Sequence, residues 1–166
     1  MGALVGRRQE RERLAHALAR ATAGEGSLVL VGGEAGVGKT SLVESLAPAS
    51  GVRVLRGASA HGATAPYGPI VAALRSHLRS EPGALGDCGP LLGHLAVLMP
   101  ELGRPAATTD RATLFEALRS AISHLASDQP LLLALDDLHW SDAATLDLLA
   151  GLAESLGELP VLVVAT

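Results

Sequence analysis

One stretch constrains the fold more than any other: Leu28 to Ser41, LVLVGGEAGVGKTS. Leu28–Val31 is an apolar run of the length of a short buried strand. It passes into glycines and then into Gly33-Glu34-Ala35-Gly36-Val37-Gly38-Lys39-Thr40. That octet satisfies G-x-x-x-x-G-K-[ST] at every fixed position, with a strand before it and a helical pattern after it. Gly33, Gly36 and Gly38 permit positive φ and a close approach of main chain to ligand. The amides of Gly36, Val37, Gly38, Lys39 and Thr40, with Ser41 just beyond them, are expected to converge on phosphate oxygens at the N-terminus of the next helix. Lys39 is expected to reach the outer phosphates and to serve catalysis, and the Thr40 hydroxyl to bind Mg²⁺. Lys39 is the only lysine among thirteen basic residues. A chain that uses arginine everywhere else needs a compact ammonium here.

The second chemical signal is Leu131-Leu132-Leu133-Ala134-Leu135-Asp136-Asp137, an apolar strand running into two acids. The carboxyl end of such a strand lies beside the phosphate loop, so Asp136 is expected to hold the Mg²⁺ hydration shell. Asp137 is the candidate to orient or deprotonate an attacking water, on a shorter arm than the Glu often used for that task. The bland alternative is a strand end entering a polar turn. In the turn that follows, His139 reads as polar surface, Trp140 as a packing residue rather than an adenine platform, and Asp142 as a helix cap.

Composition narrows the class. A chain of 166 residues suits one α/β domain, and residues 57–109, rich in turn signals, read as a helical and loop-containing insert of that same domain. The residues are 48% apolar but only 2% aromatic, so the core must come from Leu, Val and Ala, as in helices packed on a parallel sheet. A net charge of −4 and the lack of a basic run argue against a direct grip on nucleic acid by this segment. The lone Cys88 excludes an internal disulfide and reads as filler. The remaining histidines, His16, His61, His77, His94 and His124, lack metal-ligand spacing, which leaves the nucleotide's Mg²⁺ as the expected metal. No apolar run reaches the length of a signal peptide or a membrane span, so a soluble cytoplasmic protein is expected.

Along the chain, apolar periodicity predicts helices over about Gln9–Ala23, Thr40–Ala47, Ile70–Ser80, Leu91–Met99, Asp110–Ser127 with Thr109 as cap, and Ala143–Leu156 with Ser141 or Asp142 as cap. Strands are predicted at Leu28–Val31, Val52–Arg56, Leu131–Asp136 and Val161–Ala165. That order calls for parallel strands joined by helical crossovers, a three-layer sandwich of the P-loop NTPase kind.

Leu-Val-Gly-Arg near the start, GEAGVGKTSLVE, APYGP at 65–69, DRATLFEAL at 110–118 and LLLALDDLHWSDAATLDLL at 131–149 together resemble the AAA-type ATPase domain of large bacterial LuxR-type regulators. These belong to the signal-transduction ATPases with numerous domains (STAND). The resemblance implies ATP over GTP; no guanine-reading N-K-x-D motif is present. It implies Val5, Gly6 and Arg7 near adenine or ribose, Lys39 and Thr40 on phosphates and Mg²⁺, and Asp136 with Asp137 completing the site. It implies a sheet with the phosphate-loop strand near its centre. Such domains continue with a polar or basic sensor after the fourth strand, a fifth strand, a helical and winged-helix lid, and a C-terminal DNA-binding domain. The sequence stops at Thr166, so a fragment, truncated product or degenerate copy is expected, with an unpaired edge on the phosphate-loop strand.

Three functions follow. The first is an Mg-ATP switch in a transcriptional regulator with slow or absent hydrolysis. The second is an ATPase with turnover of its own, and the third a nucleotide-stabilised interaction module. The expected partner is a nucleotide, with no membrane and with self-association left open.

Overall fold

The computed structural model describes residues 7–34, 36–46, 51–62 and 65–166. The four apolar segments become parallel strands: β1 (Ser27–Leu30), β2 (Arg53–Ala58), β3 (Leu131–Asp136) and β4 (Val161–Ala165). Their order across the sheet is β1-β4-β3-β2. Helix α1 (Arg8–Thr22) precedes β1, and α2 (Lys39–Glu44) follows it. Three helices, α3 (Gly68–Ser80), α4 (Leu92–Leu95) and α5 (Arg111–Ala126), lie between β2 and β3 in sequence, and α6 (Ala143–Ser155) leads to β4.

The inner strands β3 and β4 are buried along both faces, which is why they are written as unbroken apolar runs instead of alternating ones. Alternate residues serve opposite layers. Leu131, Leu133, Leu135, Val161, Val163 and Ala165 pack with α3, α5 and α6. Leu132, Ala134, Leu162 and Val164 pack with Leu14 and Leu18 of α1 and Leu42 of α2. The result is the expected α/β three-layer P-loop NTPase-like arrangement. Ile70 and Leu74 of α3, Leu95 of α4 and Met99 join the same core cluster as β3.

The phosphate-loop strand differs from the central placement that the resemblance implies. β1 pairs with β4 alone, so it forms one edge of the described sheet, the unpaired edge expected for this strand, and β4 and β3 are the inner strands. Leu30 at its end is 70% exposed.

Several boundaries move for local reasons. The expected helix over Leu91–Met99 is instead a 3₁₀ turn at Gly89–Leu91, the single α-turn of α4, and a further 3₁₀ turn at Pro100–Leu102. Met99 leaves helical geometry at φ −132 because Pro100 excludes the α region for the residue before it. Helix α5 is capped by Asp110, not Thr109: the Asp110 carboxylate accepts from the Thr113 amide at 2.7 Å. The Thr109 hydroxyl is engaged with His94 Nδ1 at 2.9 Å. Asp142 rather than Ser141 caps α6, accepting from the Thr145 amide at 3.0 Å. The expected end of the second helix at Ala47 lies outside the described residues, as do Val5 and Gly6.

Gly57 on β2 shows how closely α3 is seated. A Cβ at that position would lie 1.8 Å from the Pro69 carbonyl oxygen, so only hydrogen fits between strand and helix.

Candidate functional site

The phosphate loop begins where β1 ends. The Val31 amide still bonds the Ala165 carbonyl of β4 at 2.8 Å, and the chain then leaves the sheet. Gly33, Gly36 and Gly38 all have positive φ, at 153, 78 and 84 degrees. L-residues with side chains rarely adopt these values, so the glycines are required by the path. Gly38 is the N-cap of α2, with no side-chain cap for the first amides of the helix. Those amides are thereby left for a ligand.

Lys39 is the first residue of α2, and its side chain folds back over the loop. Its Nζ donates to the carbonyl oxygens of Gly33 and Glu34, each at 3.0 Å. Thr40 follows, and its hydroxyl donates to Oδ2 of Asp136 at 2.6 Å, a contact across 96 residues of sequence. The sheet order explains this meeting: β1 and β3 flank β4, so their carboxyl ends lie at the same rim. Val37 and Ser41 are exposed on the loop and on α2. Val37 also packs over the loop, since a Cβ on Gly33 would lie 3.2 Å from its Cγ2.

Asp136 is the most heavily engaged carboxylate of the rim. Besides Thr40 it accepts from the Thr166 hydroxyl and from the Asp137 amide at 3.0 Å. Burial works against its ionisation, but the hydrogen bonds from Thr166, Thr40 and the Asp137 amide, with the charge of Lys39, outweigh it and hold the carboxyl below its ordinary range. Thr166 is the participant that sequence reasoning missed. It is the first polar residue beyond the apolar β4, which by itself is no signal in the sequence; its role depends on β4 lying beside β3 in the sheet.

Asp137 is placed differently. It adopts the left-handed conformation, φ 57, which turns the chain sharply out of β3. Its carboxylate lies 3.9 Å from His139 Nδ1, and among the described residues no hydrogen bond joins it to Lys39 or Thr40. Trp140, 44% exposed, meets His61 edge-on with ring centroids 4.2 Å apart. Arg7 stands at the N-cap of α1, half-buried. Just after it, a cavity of about 290 Å³ lies between the start of α1 and the end of α2, touched by Arg8, Arg11 and Ser45.

The residues fit a magnesium-bound triphosphate better than a metal held by protein alone. Among the described residues no group of three or more His, Cys, Asp or Glu side chains converges. Mg²⁺ is commonly held through one or two protein oxygens, with waters and substrate phosphates completing its shell, and one carboxylate with one hydroxyl matches that habit. Thr40, Asp136 and Thr166 also form part of the wall of a cavity of about 450 Å³ that continues between β2 and α3. No helix among the described residues is long and apolar enough to cross a membrane.

Comparison with known proteins agrees with this geometry. An uncharacterized protein of Rhizobium meliloti (strain 1021) is 26% identical over 192 aligned positions, which take in 99% of this chain. The chain spans only 18% of that relative's length. The AAA ATPase domain family matches residues 3–164. Phosphate loop, acidic strand end and parallel sheet therefore stand in one recognised frame, and the chain belongs to the AAA ATPase domain family.

Proposed function

We propose that this chain binds Mg-ATP and uses it as a conformational switch, with slow or no hydrolysis, inside a larger regulator of the STAND, LuxR-type class. The observation that carries the reading is the Thr40–Asp136 hydrogen bond at 2.6 Å. Two oxygens from distant segments are held together at the end of a glycine loop, where a hydrated cation needs them. Mg²⁺ bound there supplies charge neutralisation for the outer phosphates.

The chain's own groups divide the work. The amides of Gly36, Val37, Gly38, Lys39, Thr40 and Ser41 cradle phosphate oxygens, and Gly33 keeps the loop open. Lys39 exchanges its two carbonyl partners for phosphate oxygens. Thr40 and Asp136 hold the metal, and Arg7 lies toward the ribose. Asp137 is the candidate to handle water, yet its carboxylate faces His139. That placement favours a holding function over rapid turnover. Binding by the switch then alters loops at this rim, as in other nucleotide-controlled proteins. A cytoplasmic setting, an absence of direct nucleic-acid contact and an optional self-association complete the proposal.

Lys39→Ala is expected to abolish binding of a fluorescent ATP analogue, measured by anisotropy; unchanged affinity would refute the site. Phosphate release at saturating Mg-ATP is expected to stay near background. Release well above it that disappears in Asp136→Asn would replace the switch with an ATPase of real turnover.

A further inference from the structure

The cavity beside Asp136 holds more than the metal-binding pair. Its volume, about 450 Å³, falls in the range of small-molecule sites, roughly 300–1,000 Å³. Thr40 and Asp136 form one end of it, but none of the described residues from Gly33 to Gly38 lines it, so the cavity extends beyond the phosphate cradle toward β2 and α3. Its walls come from β2, α3, β3 and α2. Ala58, Ala72 and Ala134 give it a low apolar floor, and Arg56 and Arg79 bring two guanidinium groups.

Register fixes where Arg56 stands. Arg56 is paired with Ala134, and Ala58 with Asp136. Arg56 is thus two residues back along the sheet from the metal-holding carboxylate, about 7 Å at strand rise. On α3, Ala72, Ser76 and Arg79 recur at helical spacing and form one stripe against the same cavity. Arg8, Arg20, Arg75, Arg111 and Arg119 each hold a carboxylate. Among the described residues Arg56 and Arg79 hold none, as is true also of Arg7, Arg11, Arg13 and Arg104; what sets Arg56 and Arg79 apart is that both line this one cavity, together with Glu44. A guanidinium fork matches the oxygens of a carboxylate or phosphate, and the alanine floor suits an apolar body.

We propose that this cavity is a second binding site, for a small organic anion whose carboxylate or phosphate is held by Arg56 and Arg79 and whose apolar body lies over Ala58, Ala72 and Ala134. Its position alongside a nucleotide rests on the function proposed above; the arginine-walled cavity itself does not.

Phenyl phosphate combines the two features and is the probe. The full chain, saturated with Mg²⁺ and a non-hydrolysable ATP analogue so that the phosphate loop is filled, is titrated with it by calorimetry. Binding is expected, weakened by about tenfold or more in Arg56→Gln and in Arg79→Gln, the scale of one lost charge-assisted hydrogen bond. Affinity for the analogue is expected to stay unchanged in both variants. Absence of phenyl phosphate binding to the saturated chain overturns the proposal. So does a loss of analogue affinity in the arginine variants like that in Lys39→Ala, which would assign both guanidiniums to the triphosphate. If the analogue fails to bind the unsubstituted chain, the nucleotide function falls, and the titration is run without it. Binding kept in Lys39→Ala and lost in Arg56→Gln then upholds the cavity; the reverse pattern overturns it.

Discussion

Asp136 and Asp137 are the same residue type in adjacent positions, yet their surroundings separate them. Asp136 accepts three hydrogen bonds at the rim. Asp137, turned by its left-handed backbone, lies toward His139. Asp136→Asn is therefore expected to remove the Mg²⁺ dependence of ATP-analogue affinity, while Asp137→Asn keeps it; anisotropy titrations with and without the cation separate the two. Thr166→Val deletes one donor to Asp136 and is expected to raise its carboxyl pKa toward the ordinary value. A ¹³C titration of the carboxyl carbons reads that change. The sign for stability follows from the depressed value: the ionised carboxylate contributes above the unfolded pKa near 4, and the contribution is lost as pH falls through the folded value. The Thr40–Asp136 meeting was legible in the sequence because a phosphate loop and an acidic strand end imply each other. Thr166 was not, because one threonine after an apolar strand has no pattern, and its role appears only when β4 lies against β3.

The elements show the same division between what spacing reveals and what packing decides. The apolar runs at β3 and β4 and the periodicity of α3, α5 and α6 are strong enough to be read directly. Caps are harder, because neighbouring polar residues compete for one role and only geometry selects the winner. Asp142 took that role on α6, and its carboxylate also holds the hydroxyl of the fully buried Thr145. Asp142→Ala is expected to cost about 2–4 kcal/mol in urea unfolding, from a lost cap of about 1 and an unpaired buried hydroxyl of about 1–3. The contact between β2 and α3 has a similar logic. Gly57→Ala places a methyl group against the Pro69 carbonyl and is expected to lower stability by about 1–3 kcal/mol by the same measurement.

At the scale of the whole molecule, sheet order was the least legible property. Sequence order does not state which strands become neighbours, and the placement of β4 between β1 and β3 emerges only from the register, whereas the unpaired edge of β1 was expected. Stability also integrates distant parts. His77 of α3 is buried with its Nε2 lacking a hydrogen-bond partner, facing Glu81 on its own helix and Arg53 of β2. Burial lowers its pKa, Glu81 opposes that, and Arg53 adds to it. The unfolded chain then takes up the proton first, so unfolding free energy is expected to fall as pH drops below about 6.5. His77→Leu is expected to flatten that part of a pH–stability profile. Mg-ATP at about a hundred times its Kd is expected to add about 2.7 kcal/mol by mass action, seen as a higher Tm that Lys39→Ala does not share.

The back-folded Lys39 has a practical corollary. Its ammonium is the sole side-chain amine of the sequence and is clasped by two main-chain oxygens. Apart from the chain's own amino terminus, an amine-directed reagent has one target, and that target sits at the mouth of the proposed cradle. Acylation kinetics followed by peptide mass spectrometry thus become a native occupancy gauge: slow when the mouth is filled, faster when it empties.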